Sequence, residues 1–308
     1  MATSTSTRKV SLTKTDAELR TKVVNYARCV DRIVIGRTNE ITILMVALLT
    51  RSNILMLGPA GEGKSMLAST LINNITGVKT FFKALSPGTD EDEVFGTLIY
   101  AEMQAGRVRR NLESTLADCH LAFIDEIYKG SDDLHKSLFT VLNERVYVNG
   151  TEKVEIPLIS MIAASNEIHN NIQGFNSRFP LKLQCDRLTA PQRKEMMQRR
   201  NKRIVLTMPE EYKIDLETVQ LAQAAIRQME LPEELIDLMV SLGEILALNV
   251  DVDSRSLDQY MDFVKAYTWL DYATVPEIRH LKVGAYALWQ HPEQRRCVKE
   301  AIGTLTHS

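Results

Sequence analysis

The stretch Asn53–Thr70, NILMLGPAGEGKSMLAST, decides the fold of this chain. Four apolar residues lead into a loop with three glycines, and residues that favour a helix follow a lysine and a serine. The loop Gly58–Ser65 fits the pattern G-x-x-x-x-G-K-S between a predicted strand and a predicted helix. Glycines let successive backbone N–H groups turn towards one anion, and the amino end of the helix adds partial positive charge. The stretch therefore predicts a phosphate-binding loop, whereas the alternative is a chance glycine turn before a helix.

The side chains of this loop predict how a nucleotide is held. Lys64 can reach the β- and γ-phosphates, and Ser65 can place its hydroxyl on Mg²⁺. Glu62 is unusual beside a polyanion, so we expect its side chain to point outward. The predicted nucleotide contacts in this stretch are Gly58, Pro59, Ala60, Gly61, Glu62, Gly63, Lys64, Ser65 and Met66.

An acidic pair follows about sixty residues later, in LAFIDEI (121–127). The apolar run predicts a strand that ends at Asp125 and Glu126. Asp125 is expected to hold Mg²⁺ through its water shell, and Glu126 to polarise the attacking water. The alternative is a strand whose two terminal acids simply meet solvent.

A third strand, in ISMIAASNE (159–167), ends near Asn166. This Asn is expected to donate to the γ-phosphate and to orient the water, although Asn also favours plain helix caps. Twelve residues later comes Arg178, within FNSRFP. Arg178 is either an ordinary surface residue or an arginine finger that reaches a neighbouring subunit's nucleotide.

Length and composition indicate a globular chain with two domains. The sequence has 308 residues, of which 44% are hydrophobic and 25% charged. Its 37 basic and 39 acidic residues give a net charge of −2, which disfavours a nucleic-acid-binding role. The four cysteines lack metal-ligand spacing, which predicts reduced thiols and a cytoplasmic location. The polar start is unlike a signal peptide, and no uncharged apolar run is long enough to predict a membrane span.

The secondary structure that the sequence predicts changes twice along the chain. Residues 1–14 predict a flexible tail, and helical spacing then dominates up to residue 52. Short β-rich runs alternate with helical patterns over residues 53–185, which predicts parallel βαβ units. The runs are NILMLG, TFFKAL, HLAFID and PLISMIAAS. Strand signals vanish after about residue 190. We therefore predict an α/β nucleotide-binding core over residues 15–190 and an all-α lid over residues 191–308.

The order of these motifs resembles that of an AAA+ ATPase, and more narrowly that of the RavA-like ATPases of the MoxR group. The resemblance covers most of the chain and is strongest over residues 53–185. Its most specific part is LNERVYVNG, followed by a charged hairpin and AASNE. The segments that carry it are EDEVFG (91–96), FIDEIYKGSDDLHKSLFTVLNERVYVNG (123–150), IPLISMIAASNE (156–167) and the stretch from Asp253 to Trp289.

The resemblance implies a five-stranded parallel sheet with a helical lid, assembled as a hexameric ring with ATP and Mg²⁺ between subunits. It implies Walker A roles for Lys64 and Ser65, and a first-sensor role for Asn166. It likewise implies Walker B roles for Asp125 and Glu126. Such ATPases commonly work with a partner that carries a von Willebrand factor A domain.

Further roles follow from the resemblance alone. Arg178 matches the arginine finger, and Arg255 matches the second sensor, which touches the γ-phosphate from the lid. The segment IVIGR (33–37), with Ile35 and Gly36, matches the part that lies over the adenine. Two features depart from the family. Gly63 stands where Ala commonly precedes the Lys, and a single Arg flanked by serines stands where RavA-like lids often carry two adjacent arginines.

Two inserts are expected to move during hydrolysis. Residues 86–111 occupy the place of a pore-facing loop, and residues 144–157 predict a β-hairpin that turns at Asn149-Gly150. The first insert carries a basic cluster, for which a solvated turn, a grip on a client protein and a nucleic-acid contact remain open. The cluster consists of Arg107, Arg109 and Arg110.

Three functions remain open at the level of sequence. The first is a chaperone-like remodeller driven by ATP hydrolysis. The second is an ATP-gated assembly platform that hydrolyses slowly. The third is an MCM-like nucleic-acid motor, which the near-neutral charge disfavours. The sequence predicts neither the client nor the ring symmetry nor the rate of hydrolysis.

Overall fold

The computed structural model describes residues 14–166, 168, 174–250 and 252–306. The predicted flexible tail lies outside these residues, except that Lys14 already begins the first helix. The α-helices are α1 (Lys14–Ile33), α2 (Thr38–Leu49), α3 (Lys64–Ile72), α4 (Glu91–Phe95), α5 (Tyr100–Gln104), α6 (Asp132–Glu144), α7 (Ala190–Asn201), α8 (Leu216–Arg227), α9 (Glu233–Leu246), α10 (Ser254–Leu270) and α11 (Gln294–Thr306). The strands are β1 (Ile54–Leu57), β2 (Ile75–Thr76), β3 (Thr80–Ala84), β4 (Leu121–Asp125), β5 (Val146–Asn149), β6 (Glu152–Glu155), β7 (Ser160–Ser165), β8 (Leu181–Gln184) and β9 (Ile214–Asp215).

Five parallel strands form the main sheet in the order β3-β4-β7-β1-β8. The central strands β1 and β7 are buried along their whole length, as expected for a parallel sheet covered on both faces. The predicted α/β class and the five-stranded parallel sheet are confirmed. All five carboxyl ends lie at one edge of the sheet, which is where open α/β sheets bind ligands.

The C-terminal region is helical, as predicted, with two differences. The stretch Ile278–Tyr286 forms a 3₁₀ helix instead of an α-helix. Strand β9 pairs in parallel with β2, although the sequence shows no strand signal there. Helices α1 and α2 pack against α8 and α10, so the first helices of the chain share a hydrophobic core with the C-terminal ones.

The predicted β-hairpin is confirmed, and its turn is shifted by one residue. Asn149 pairs with Glu152, so the two loop residues are Gly150 and Thr151. The side chain of Asn149 instead holds both backbone groups of Arg110, accepting from its N–H at 2.7 Å and donating to its oxygen at 3.1 Å. A Cβ at Gly150 would lie 2.0 Å from the Val108 oxygen, so only glycine fits. The hairpin is therefore docked on the first insert.

Among the described residues, no helix is long and apolar enough to cross a membrane.

Candidate functional site

The loop after β1 has the backbone geometry that anion binding requires. Gly58 donates its N–H to the Ser165 oxygen at 3.2 Å, and a Cβ there would lie 2.4 Å from the Cys185 oxygen. Gly61 and Gly63 adopt φ angles of 83° and 79°, a region that L-residues rarely enter. Gly63 also caps the amino end of α3. The glycine pattern is thus explained by close approach and by left-handed backbone.

Lys64 extends back into this loop and is 8% exposed. Its Nζ donates to the oxygens of Gly58 at 2.5 Å and Pro59 at 2.9 Å, and to Asn166 Oδ1 at 3.4 Å. Neutral oxygens alone hold this ammonium among the described residues. Because charge-assisted hydrogen bonds are stronger, an anion that enters the loop gains a cation already in position.

The acidic pair meets the loop from the neighbouring strands. Ser65 Oγ donates to Asp125 Oδ2 at 2.9 Å, and Asp125 Oδ1 accepts from the Glu126 N–H at 3.0 Å. Asn166 Nδ2 donates to Glu126 Oε1 at 3.3 Å, and Lys129 lies 3.4 Å from Glu126 Oε2. Glu126 has a φ of 53°, which turns it away from the direction of β4. Five predicted side chains therefore converge at the carboxyl ends of β4, β7 and β1.

The open rim of this site is formed by the rest of the predicted loop. Pro59, Ala60, Gly61 and Met66 are exposed beside Ser65. A Cβ at Gly61 would meet no atom within 4 Å, so there is room above the loop for a ligand. The donor set, which combines an ammonium, a hydroxyl, a carboxylate and exposed backbone, fits a nucleotide phosphate with Mg²⁺.

Glu62 does not point outward, as the sequence analysis expected. Its side chain is 18% exposed, and its Oε2 lies 3.5 Å from Arg37 Nη2 and accepts from the Leu188 N–H at 3.3 Å. The buried Arg37 also donates to the Glu62 oxygen at 2.9 Å and to the Asp186 oxygen at 2.8 Å. The expectation was wrong because this guanidinium neutralises the carboxylate beside the loop.

Sequence reasoning did not assign a role to Arg37, although it closes the IVIGR segment. Ile35 and Gly36 lie in the connection between α1 and α2, next to this arginine. Gly36 has a φ of 70°, and the side chain of Gln192 fills the space where a Cβ would stand. The segment therefore contacts the phosphate loop through Arg37 and the start of α7 through Gly36.

The two predicted arginine residues lie together, apart from the converged five. Arg178 Nη1 and Arg255 Nη2 both donate to Asn143 Oδ1, at 2.7 Å and 2.9 Å. They line a cavity of about 520 Å³, and no residue of the phosphate loop lines it. Within the described residues, neither guanidinium has a carboxylate within ion-pairing distance. Burial and the nearby Arg255 hold the pKa of Arg178 below its ordinary value. This positive pair is therefore suited to an anion that arrives from outside the chain.

Aromatic side chains connect the acidic pair to Arg178. Tyr128, two residues after Glu126, donates its hydroxyl to Asn176 Oδ1 at 2.5 Å. Phe175 stands edge-on to Tyr128 and to His135, with ring centroids 6.1 Å and 5.4 Å apart. The guanidinium of Arg178 lies 4.2 Å from the centroid of the Phe139 ring. We call the contacts from Tyr128 to Phe139 the aromatic link. Tyr128 is two residues from Glu126, and Phe139 contacts Arg178, so a predicted catalytic residue stands at each end.

The basic cluster of the first insert is paired within the chain. Arg107 donates to Glu102 at 2.5 Å, and Arg109 pairs with Glu152 on the hairpin. Arg110 contacts two of the three acids at the start of α4, Glu91 and Asp92. Each guanidinium thus has an intramolecular carboxylate, which favours the structural interpretation of the cluster.

Comparison with known proteins places this geometry in context. A family model described as the MoxR domain in the MoxR-vWA-beta-propeller ternary systems matches residues 20–224, more than half of the chain. Two uncharacterized proteins of Methanocaldococcus jannaschii are 25% and 26% identical to it, over 88% and 84% of this chain and 71% and 69% of theirs. A structural protein of Acidianus two-tailed virus is 27% identical over 74% of this chain and 41% of its own length.

One solved structure covers nearly the whole chain. The crystal structure of a protein from Cytophaga hutchinsonii, described there as a proposed ATPase, aligns with a TM-score of 0.76 over 95% of both chains. At 16% sequence identity, this likeness shows a shared fold alone.

Proposed function

Since this chain belongs to the MoxR family of AAA+ ATPases, we propose that it hydrolyses ATP between neighbouring copies of a ring and thereby remodels a partner protein. We further propose a hexamer, a RavA-like character and a cytoplasmic location. In this proposal residues 15–190 form the ATPase core and residues 191–308 the lid. The partner is proposed to carry a von Willebrand factor A domain, because the matching family model describes MoxR–vWA systems.

The convergence at the sheet edge is the observation that carries the proposal. Lys64 and the loop N–H groups would bind the phosphates, with Ile35 and Gly36 beside the adenine. Glu126 would accept a proton from the attacking water, and Asn166, already 3.3 Å from Glu126 Oε1, would orient that water. Mg²⁺, held by Ser65 and Asp125, would supply charge neutralisation at the transferring phosphoryl group.

Arg178 and Arg255 are proposed to complete the site of the neighbouring copy. Their shared position at Asn143, outside the phosphate loop's surroundings, supports a common target in trans. This changes the expectation for Arg255, which the sequence analysis assigned to the γ-phosphate from the lid. Positive charge aimed at a transferring phosphoryl group stabilises the charge that develops there.

The contacts of Glu126 favour a second candidate, the slow assembly platform. Its carboxylate is engaged by both Asn166 and Lys129. A base that is already occupied has to exchange partners before it takes a proton, which would slow hydrolysis. The nucleic-acid motor is favoured less, because the arginines of the first insert are paired within the chain.

Mixing inactive variants tests the proposal. Glu126→Gln and Arg178→Ala are each expected to bind ATP but to lose turnover. In a mixture, the Arg178→Ala chain supplies an intact Glu126 while the Glu126→Gln chain supplies Arg178, so activity should return at a fraction of the interfaces. If the mixture stays as inactive as its components, catalysis across an interface is excluded. Faster turnover with added DNA would indicate the motor, and faster turnover with a purified candidate partner would indicate the remodeller. Turnover that stays slow with both would indicate the platform.

A further inference from the structure

Helix α7 is the longest helix among the described residues in which no residue is buried. A 12-residue helix is only marginally stable in water unless one face packs against something. A capping box at Thr189 and Gln192 fixes its start, and Arg199 hydrogen bonds to the carboxyl end of α1 near its end. The remaining surface of α7 has no cover within the described chain.

This surface is strongly basic. We define the basic face as residues 190–206, which carry six Lys or Arg residues against one Glu. Arg199 pairs with Glu195, and no described carboxylate is within ion-pairing distance of the other five. Those five are Arg193, Lys194, Arg200, Lys202 and Arg203. Exposed apolar side chains lie among them, namely Met196, Met197, Ile204, Val205 and Leu206.

A second uncovered surface has the opposite charge. No Lys or Arg occurs between Arg227 and Arg255, while seven acids do. Helix α9 packs its inner side against α10 and α11. We define the acidic face as its outer side with the residues that flank it, 230–248. Its acids, none of which has an ion-pair partner among the described residues, are Glu230, Glu233, Glu234, Asp237 and Glu244. Its exposed apolar residues are Ile236, Val240, Ile245 and Leu248.

We propose that the basic face of one copy docks on the acidic face of the next copy. No described ion pair or hydrogen bond joins the two faces within one chain. Opposite charges that are left unpaired on both surfaces favour this partner and disfavour contact between two like faces. Apolar side chains on each face supply area to bury at the centre of the contact.

The two surfaces that meet in this contact are different, and this difference determines how the contact can repeat. A contact between unlike faces is heterologous, so it repeats around a closed ring or along a filament. The inference rests on the proposed ring, and it identifies which surfaces of the helical region hold neighbours together. Because the attraction is electrostatic, added salt should weaken assembly.

Charge reversal tests the contact. Four reversals are needed to change the sign of each face. Lys194→Glu/Arg200→Glu/Lys202→Glu/Arg203→Glu changes the basic face from +5 to −3. Glu233→Arg/Glu234→Arg/Asp237→Arg/Glu244→Arg changes the acidic face from −5 to +3. Each quadruple variant places like charges opposite each other and should raise the concentration for half-assembly by about ten-fold or more. Sedimentation velocity with Mg-ATP measures it. ATP binding by each isolated variant should stay unchanged.

Mixing the two quadruple variants gives the decisive result. The acidic α7 of one chain then meets the basic α9 of the other, and the second chain's unaltered α7 meets the first chain's unaltered α9. Assembly should therefore return with the two chains in a 1:1 ratio, and only in rings with an even number of subunits. Failure of the mixture to assemble, with both variants folded, overturns the inference.

A matched control keeps this result specific. Lys79→Glu/Lys136→Glu/Lys153→Glu/Arg296→Glu changes the net charge by the same amount as the α7 variant, at exposed positions that lie outside both faces. This variant should assemble like the parent. If the α7 variant assembles normally but loses binding to DNA or to anionic vesicles, the basic face serves that ligand and the inference is wrong. If the parent binds ATP but never assembles, the proposed ring fails instead.

Discussion

At the scale of single residues, Lys182 is the least expected group in the core. It lies on β8, fully buried, and its Nζ has no hydrogen-bond partner among the described residues. The ammonium lies 5.8 Å from the centroid of the Trp289 ring. Burial lowers its pKa from 10.5 to about 7. A charge buried with so little compensation costs stability.

The pH dependence of unfolding checks this cost. Between pH 7 and 10.5 the unfolded chain binds the Lys182 proton while the folded chain has released it, so stability should rise with pH across this window. Lys182→Met should flatten that rise and stabilise the protein below pH 7 by at most about 5 kcal/mol. Urea unfolding at several pH values measures both effects. An unchanged slope would mean that the amine reaches water or a counter-ion.

Glu126 makes the sharpest prediction for activity. Glu126→Gln keeps the shape and the contact with Asn166 but removes the base, so turnover should fall about 10²–10⁴-fold while ATP binding persists. Nucleotide-retention and phosphate-release assays measure the two properties, and light scattering tests whether rings accumulate. Asp133→Asn, at an exposed acid outside the site, serves as the control. Normal cleavage by Glu126→Gln would remove this residue from its role.

At the scale of elements, the aromatic link connects the end of β4 to the segment that carries Arg178. Tyr128→Phe removes only the hydroxyl that bonds Asn176. We expect unchanged ATP affinity and turnover about five-fold lower, since a neutral hydrogen bond contributes about 1 kcal/mol. Tyr212→Phe is the matched control, because Tyr212 lies in the turn before β9 and outside the aromatic link.

Mixing separates the two ends of this link. The chain with Tyr128→Phe keeps its own Lys64 site, and a partner with Lys64→Ala supplies an undisturbed Arg178. Turnover per intact site should recover in this mixture if Tyr128 positions Arg178. If turnover stays low, Tyr128 acts on the adjacent Glu126 of its own chain, and its proposed effect on Arg178 is wrong.

Local patterns predicted four of the five sheet strands from residues alone. Strand β8 had no such signal, because it has four residues and Lys182 interrupts its apolar run. The hairpin was predicted, but its turn shifted because Asn149 is committed to Arg110. The shifted turn therefore comes from a tertiary contact that a local window does not contain, whereas β8 is too short and too interrupted to show a local pattern.

The candidate site likewise has a part that the sequence predicts and a part that it does not. The phosphate loop and the two strand-ending motifs have fixed short spacings, so sequence alone could bring them together at one sheet edge. The meeting of Arg178 and Arg255 at Asn143 joins positions 35 and 112 residues apart. Arg37 likewise reaches Glu62 across 25 residues. Such long-range partners follow from the fold and have no local signature.

At the scale of the whole molecule, the core and the helical region are packed together. Helices α1 and α2 contact α8 and α10, and β2 pairs with β9. We therefore expect a single unfolding transition. A nucleotide that binds only the folded state should stabilise it by about 2.7 kcal/mol at one hundred times its dissociation constant.

Calorimetry with and without Mg-ATP measures this stabilisation. Lys64→Ala should unfold near the parental temperature without nucleotide and should lose most of the increase that ATP gives. Two separate transitions, of which ATP moves only one, would show that the core and the helical region unfold independently.

The single amide oxygen shared by Arg178 and Arg255 also affects behaviour in ordinary buffers. Two like charges held on one neutral acceptor repel each other, and any small oxyanion that enters their cavity relieves that repulsion. Sulfate or inorganic phosphate would then occupy the place intended for an adjacent copy's triphosphate. A preparation purified in phosphate would thus contain smaller particles than one kept in chloride, and dialysis alone would reverse the difference.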